Sequence, residues 1–333
     1  MSATPELGQP WRIGPVEVPN RVVLAPLAGI GNWFVRLQAK RHGAGLAVSE
    51  MVSSFAIHHR NQKTMRELLR IHPDERAGGP VSIQLFGQDP EVMRSAAATV
   101  AERGADLIDL NMGCPVPKVC KTGAGAALIK DPDTAVKVAR AACEGSGLPV
   151  TVKLRSGQRP GETDGYALAH RLVHDAGVSA IGFHPRSAAV HHKGVPDYDL
   201  AARLVETLDA PVILTGGMAN AEAVKRAYEH TGAAAVMLAR GSLGNPWLFA
   251  QLLDLRTDEP TPREIGQELD WVMDRAVEHL GGPRAGRYLR QFYPWYVERL
   301  GADKAVRQAL QQTASIEEAR AILSAVGSLA KAA

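Results

Sequence analysis

Residues 81–110 read VSIQLFGQDPEVMRSAAATVAERGADLIDL, and this stretch decides the fold. Val81–Leu85 is a short apolar run, Asp89–Arg103 carries a helical pattern, and Leu107–Leu110 is a second apolar run. Strand, helix and strand in about thirty residues make a βαβ unit, whose two strands lie parallel. Outward from this unit the alternation recurs. Further apolar runs at Val22–Ala25, Leu46–Ser49, Val150–Lys153, Ala180–Phe183, Pro211–Thr215 and Ala234–Leu238 bring the strands to eight. Helical patterns fit at Pro132–Glu144, Gly165–Asp175, Leu200–Leu208 and Ala221–His230. The strands are nearly continuous apolar runs, as a parallel sheet covered on both faces requires.

Eight such units predict a (β/α)8 TIM barrel better than an open doubly wound sheet. The first strand runs into LAPLAGIGNWF (24–34), which is not the G-x-G-x-x-G dinucleotide fingerprint. WRIGPVEV (11–18) turns at Gly14-Pro15 and predicts a small hairpin plugging the N-terminal end of the barrel. Beyond residue 250 the pattern changes. LRTDEPTP (255–262) is a polar, turn-rich linker in which Thr261 caps and Pro262 opens a helix. Helices are predicted at Arg263–Leu280, Arg284–Leu300, Asp303–Gln312 and Ile316–Leu323, the last with a Ser315/Glu318 capping box. The organisation is a barrel domain over 1–250 and an all-helical C-terminal domain over 251–333.

Of the 333 residues, 45% are hydrophobic and 22% charged, which excludes disorder, collagen and coiled coil. The formal charge of +3 neither demands nor excludes nucleic acid, so any basic surface is local. Cys114, Cys120 and Cys143 are an odd number in a chain that needs no disulfides, and predict a reducing compartment. MSATPELGQPW lacks a basic stretch followed by an apolar run, and no segment reaches about 18 uninterrupted apolar residues. A cytoplasmic protein without a membrane partner is the expectation.

In such barrels the functional groups collect at the C-terminal ends of the strands. Those ends are Ala25-Pro26-Leu27, Glu50-Met51, Gln84, Asp109 with Asn111, Lys153 with Arg155, His184 with Arg186, Thr215-Gly216-Gly217, and Arg240-Gly241. The last two resemble a phosphate cradle: glycines admit the ligand to the backbone, and a guanidinium adds charge. The same glycines also suit plain tight turns. Gln84 and Lys153 then point toward the ring that carries the phosphate. Lys153 can stabilise charge developing on that ring, or simply pair with Asp109 or Glu50.

The stretch DLNMGCPVPKVCKTGAGAAL (109–128) holds Cys114 on a loop, because no helix or strand passes through Gly-Cys-Pro-Val-Pro. Nucleophile, general acid and metal ligand are the open roles. The Cys114/Cys120 spacing does not match a structural zinc pair and no second pair follows, so no metal is expected. No adjacent His-Asp pair supports covalent catalysis, which leaves a proton donor beside a reducible ring. Cys143 reads as a small buried hydrophobe. His191-His192 and His58-His59 fit solvated or packed positions better than metal ligation.

From 251 to 333 there are 11 Lys plus Arg against 12 acids. Within PRAGRYLRQFYPWYVERL (283–300), however, Arg284, Arg287 and Arg290 fall three apart, beside Tyr288, Phe292, Tyr293, Trp295 and Tyr296. A basic stripe beside aromatics suits a phosphate backbone with nearby bases. Leu289, Phe292 and Tyr296 also stand at core spacing, so an ordinary wet face with a packed back fits as well.

The motifs APLAG, QLFG, DLNMGCP with KTGAGAALIKDP, VKLR, HPRS, ARGSLGNPWLF and RYLRQFYPWY occur in an order that resembles the tRNA-dihydrouridine synthases, the bacterial B-type most. The resemblance spans residues 12 to 325. It implies FMN as cofactor, NADPH as reductant, and tRNA as the partner whose uridines are reduced across C5–C6. It implies Cys114 as the general acid, and Asn111, Lys153, His184 and Arg186 as groups that orient the uracil or the flavin. Flavin contacts are implied for Ala25, Pro26, Leu27, Gln84, Lys153 and His184, and phosphate contacts for Gly216, Gly217, Arg240 and Gly241. Arg284, Arg287 and Arg290 lie on what resembles the RNA-facing helix. No obligate protein partner is implied.

Three departures stand out. Gly216-Gly217-Met218 replaces the usual Asn-Gly-Asp, Pro185 follows His184 where Gly is common, and Gln291-Phe292 stand where a basic residue and His are frequent. Two other functions compete: a flavin reductase of a free pyrimidine or small conjugated carbonyl compound, and a non-catalytic RNA-binding barrel.

Overall fold

A computed structural model describes residues 4–313 and 315–329. Its contacts divide the chain into two compact units, Met1–Arg240 and Gly241–Ala333.

The first unit is a closed parallel barrel. A hairpin, β1 (Trp11–Ile13) and β2 (Val16–Val18), precedes β3 (Val22–Leu24), β4 (Leu46–Val48), β5 (Val52–Ser53), β6 (Val81–Phe86), β7 (Leu107–Met112), β8 (Val150–Arg155), β9 (Ala180–His184), β10 (Val212–Thr215) and β11 (Ala235–Leu238). The order β4-β3-β11-β10-β9-β8-β7-β6 is closed by the β4–β6 pairing, and the two-residue β5 extends that edge along β6. All eight expected strands are present. Strands β7 and β8 run two residues further than their apolar stretches, because Asn111↔Lys153 and Arg155↔His184 continue the ladder with polar side chains.

The hairpin closes the strand-start end as expected. Trp11, Ile13 and Val18 pack into one buried cluster with Val23, Leu46, Leu107, Ala180, Ile213 and Ala235. Helices α1 (Trp33–Arg41), α2 (Ser54–His58), α3 (Pro73–Ala77), α4 (Pro90–Glu102), α5 (Pro117–Cys120), α6 (Pro132–Ser146), α7 (Asp164–Ala176), α8 (Tyr198–Thr207) and α9 (Ala221–Thr231) belong to the same unit. Their starts are written locally. Asp89 and Asp131 cap α4 and α6 with their carboxylates, each followed by proline where the missing N–H costs nothing.

The second unit comprises α10 (Trp247–Leu252), α11 (Pro262–Leu280), α12 (Gly282–Leu289), α13 (Tyr293–Arg299), α14 (Lys304–Gln312) and α15 (Ile316–Leu329). A division at 250/251 falls inside α10. Thr261 and Glu264 form a reciprocal capping box on α11. At the start of α15 the pattern is incomplete. Glu318 N–H donates to Ser315 Oγ at 3.2 Å, but the Glu318 carboxylate accepts from the Thr313 hydroxyl instead.

The expected helix Arg284–Leu300 is two helices, α12 and α13, broken over 290–292. Pro294 is the reason: it has no N–H for an upstream carbonyl and biases Tyr293 away from helix interiors. No helix among the described residues is long and apolar enough to cross a membrane.

Candidate active site

The barrel brings polar side chains together by register. Gln84, Asp109 and Thr151 are neighbours across β6, β7 and β8; two residues along, Asn111 pairs with Lys153. Strand alternation sends Thr151, Lys153 and Arg155 to one side. That side is the barrel interior, since Thr151 Oγ1 donates to Asp109 Oδ1 at 2.5 Å and Gln84 Nε2 donates to Asp109 Oδ2 at 2.6 Å. Asn111 Nδ2 donates to Gln84 Oε1 at 3.0 Å, and Asn111 Oδ1 accepts the N–H of Cys114 at 2.9 Å.

Cys114 follows β7 directly. Neither strand nor helix crosses 113–116; α5 begins at Pro117. The loop is fixed on both sides. Arg155 Nε donates to the Gly113 carbonyl at 3.1 Å, while the Cys114 carbonyl accepts from Ala126 N–H at 3.0 Å and from the Cys120 thiol at 3.3 Å. Gly125 closes the back of the loop. At φ +64°, a Cβ there would lie 2.8 Å from the Cys114 carbonyl oxygen. Burial pushes the Cys114 thiol up from its ordinary value, so it rests protonated.

Around this thiol the charges are nearly all positive. Burial, with Arg155 alongside, pulls Lys153 down to about 8; burial and Arg186 pull Arg155 down to about 10. His184 is driven far below the ordinary histidine range by burial and then by Lys153, Arg155, Arg186 and His192, so it is a neutral ring. His192 is pulled down to about 4 by burial and Arg240. Asp109 is the buried carboxylate that answers Lys153, and burial holds it up at about 6. Such a collection of cations is stable only with anionic company, which is what a phosphate-bearing conjugated ring supplies.

The glycine pair after β10 has a sharper cause than a tight turn. Gly216 sits at φ +101°, and a Cβ there would lie 2.4 Å from the His184 ring; at Gly217, φ +77°, one would lie 2.3 Å from the Tyr198 hydroxyl. That hydroxyl donates to the Gly216 carbonyl at 2.9 Å. Two buried polar atoms beside this cradle, Arg186 Nε and Ser187 Oγ, have no hydrogen-bond partner among the described residues. Unspent donors next to cations and bare backbone fit a flavin phosphate and ring.

Arg186 also donates to the Gly194 carbonyl at 2.6 Å. Arg240 is exposed and begins a short 3-10 turn, Arg240–Ser242, that includes Gly241. Ala25, Pro26 and Leu27 follow β3, and Ala25 N–H still donates to the β11 residue Leu238. Among the described residues no three potential metal ligands stand together.

Several functional groups were not marked out by sequence. Asp109 was offered only as a pairing partner of Lys153, and Arg155 stood at a strand end without a role, although the Thr151/Lys153/Arg155 alternation carried the signal for Arg155. Its Nη1 also donates to the carbonyls of Ser187 and His191, and His191 takes a left-handed backbone (φ +52°). Tyr198 carried no signal, and Ser187 none beyond closing the HPRS motif.

In the helical unit Arg284 and Arg287 are exposed. Arg290 is spent on structure: its Nε and Nη2 donate to the carbonyls of Thr313 and Gln312, at 2.8 and 2.7 Å, closing the end of α14. The aromatic neighbours Phe292, Tyr293 and Tyr296 are buried.

Solved structures with the same fold include a morphinone reductase (TM-score 0.57, 16% identity, covering 78% of this chain and 94% of that one). A 2-naphthoyl-CoA reductase aligns at TM-score 0.62 with 12% identity, over 98% of this chain and 69% of that one. The chain is an enzyme, an oxidoreductase of the flavin-dependent class. It belongs to the dihydrouridine synthase family, whose model, "Dihydrouridine synthase (Dus)", matches residues 23–331. It is 34% identical over 297 residues to the tRNA-dihydrouridine synthase B of Xanthomonas axonopodis pv. citri, covering 86% of each chain. To that of Pseudomonas aeruginosa it is 34% identical over 304 residues, 89% of each. A probable tRNA-dihydrouridine synthase of Mycobacterium tuberculosis is 36% identical over 329 residues, covering 94% of this chain and 83% of that one.

Proposed function

We propose that the chain is a cytoplasmic tRNA-dihydrouridine synthase that reduces the C5–C6 double bond of uridine in tRNA, with FMN as its flavin and NADPH as reductant. The observation that carries this reading is Cys114, a thiol kept protonated by burial on a loop tied to the barrel mouth among cations.

When bound, the flavin supplies a hydride for C6 of the uracil. Cys114 Sγ gives its proton to C5, the step that a protonated thiol serves and a resting thiolate does not. Lys153 and the neutral His184 ring hold the uracil carbonyl oxygens and stabilise negative charge developing there. Asn111 sets the Cys114 main chain and, with Arg186, borders the base. Ala25, Pro26, Leu27, Gln84, Lys153 and His184 line the flavin; Gly216, Gly217, Arg240 and Gly241 take its phosphate. A base inside folded RNA must be flipped out to reach this mouth. In the helical part, Arg284 and Arg287 take tRNA phosphates, with Arg290 behind them as a structural residue. On this reading, residues 1–250 serve catalysis and 251–333 serve tRNA.

The test is Cys114→Ala. With FMN, NADPH and an unmodified tRNA transcript, the wild type converts uridine to a nucleoside two hydrogens heavier. The variant keeps FMN and tRNA binding and loses conversion by about 100-fold or more. Conversion at the wild-type rate by Cys114→Ala rules out the acid role. Equal turnover of free uridine and tRNA points instead to a small-molecule reductase.

A further inference from the structure

We propose that Asp109 is a positioning residue of this reaction: it holds the Gln84 amide in one of its two orientations and, through Gln84 and Asn111, sets the main chain that carries Cys114. The proposal rests on the reading of the barrel mouth as the place where uridine is reduced.

The argument is one of hydrogen-bond polarity. At one end of the chain of contacts are the backbone N–H groups of Gly113 and Cys114, which can only donate; both reach Asn111 Oδ1, at 3.3 and 2.9 Å. At the other end is the Asp109 carboxylate, which when ionised can only accept. Between them lie two amides, either of which could be turned over if it stood alone. Donors at one end and an acceptor at the other leave a single consistent arrangement. Asn111 presents its NH2 to Gln84 Oε1, and Gln84 presents its NH2 to Asp109 Oδ2. The second carboxylate oxygen is held by Thr151 Oγ1, so the carboxylate cannot swing away. Asp109 is buried, on the strand two residues before Asn111, and its carboxylate bonds Gln84 and Thr151.

The charge sets how firmly Gln84 is held. Burial holds the Asp109 carboxyl up at about 6, with the hydrogen bonds from Thr151 and Gln84 and the Lys153 ammonium pulling the other way. Below that pH the proton settles on Oδ1, where the Thr151 hydroxyl turns to accept it, and Oδ2 still accepts from Gln84 but as a neutral, weaker acceptor. The charged and titratable groups facing this network are Lys153, Arg155, Cys114, His184 and Glu50, which lies between Ser49 and Met51, the contacts of Gln84 and Asn111. Lys153 at about 8 and Arg155 at about 10 titrate on the alkaline side, as does Cys114, whose thiol is raised. His184 stays neutral throughout. Asp109 changes state near 6; Glu50, raised by burial, also titrates on the acid side, and Asp109→Asn tells the two apart.

The test uses the full chain and two readouts. In NMR spectra of the nitrogen-labelled protein, the Gln84 side-chain amide and the Cys114 backbone amide shift together with a midpoint near 6, and both are flat in Asp109→Asn. In kinetics, Asp109→Asn, whose amide oxygen accepts from Gln84 as the neutral acid does, runs at the rate the wild type falls to below pH 6, within about threefold of its neutral-pH rate, and so loses the acidic limb of the pH profile. Asp109→Val, which can accept nothing, loses about 10–100-fold in kcat with KM little changed.

Amides that titrate in Asp109→Asn as in the wild type, or an Asp109→Val enzyme with wild-type kcat, overturn the proposal. Should Asp109→Val fail to fold, the amide titration of the wild type and Asp109→Asn decides alone. A wild type that reduces no uridine defeats the functional reading, while the amide titration, made without substrate, still decides the positioning role.

Discussion

Lys153 is a buried cation whose charge the fold does not fully answer. Its ammonium is buried beside Arg155 and is pulled down to about 8 from an ordinary 10.5. The unfolded chain therefore holds that proton more tightly than the folded one. The resulting penalty is fully present below pH 8 and is relieved as pH rises toward 10.5. Replacing Lys153 by Met removes the penalty. Thermal or denaturant unfolding at pH 7 is expected to show a gain of about 1–3 kcal/mol, shrinking at pH 10, while uridine reduction is lost. An unchanged or lower unfolding midpoint would mean that Lys153 is satisfied where it stands. The position of Lys153 at a strand end was legible in the sequence, as was Cys114 between Gly113 and Pro115. The contacts that give them their properties were not. Whether Asp109 meets Gln84 depends on the register of two strands, and whether Gly216 faces the His184 ring depends on two loops more than thirty residues apart.

At the scale of elements, apolar runs located all eight strands because each is buried on both faces, leaving little besides the runs to read. Their ends were harder. Asn111 and Arg155 are polar yet paired, and the expected strands stopped short of them, at Leu110 and Lys153. In the helical unit the spacing of Arg284, Arg287 and Arg290 suggested one shared task, but Pro294 breaks the helix and turns Arg290 onto the end of α14. Arg290→Met is therefore expected to lower stability by about 1–2 kcal/mol in denaturant unfolding, through loss of two charged donors to helix-terminal carbonyls. Arg287→Met should leave stability unchanged and weaken tRNA binding in a salt-titrated gel shift. Equal stability of the two variants would return Arg290 to the RNA-facing set.

For the molecule as a whole, the count of βα units was enough to choose a closed barrel over an open sheet, and the pairing of β4 with β6 makes that closure. The hairpin Trp11–Val18 was legible too, and its packing against the strand starts has a kinetic consequence. A barrel stoppered at one end and filled along its axis has one doorway. On the proposed function, the nicotinamide of the reductant and the uracil of the RNA both reach the flavin through it, and neither can come in from behind. They must take turns. Initial rates with both substrates varied should give parallel lines in double-reciprocal plots, with each substrate inhibiting competitively against the other at high concentration. Intersecting lines would mean that the two guests share the room.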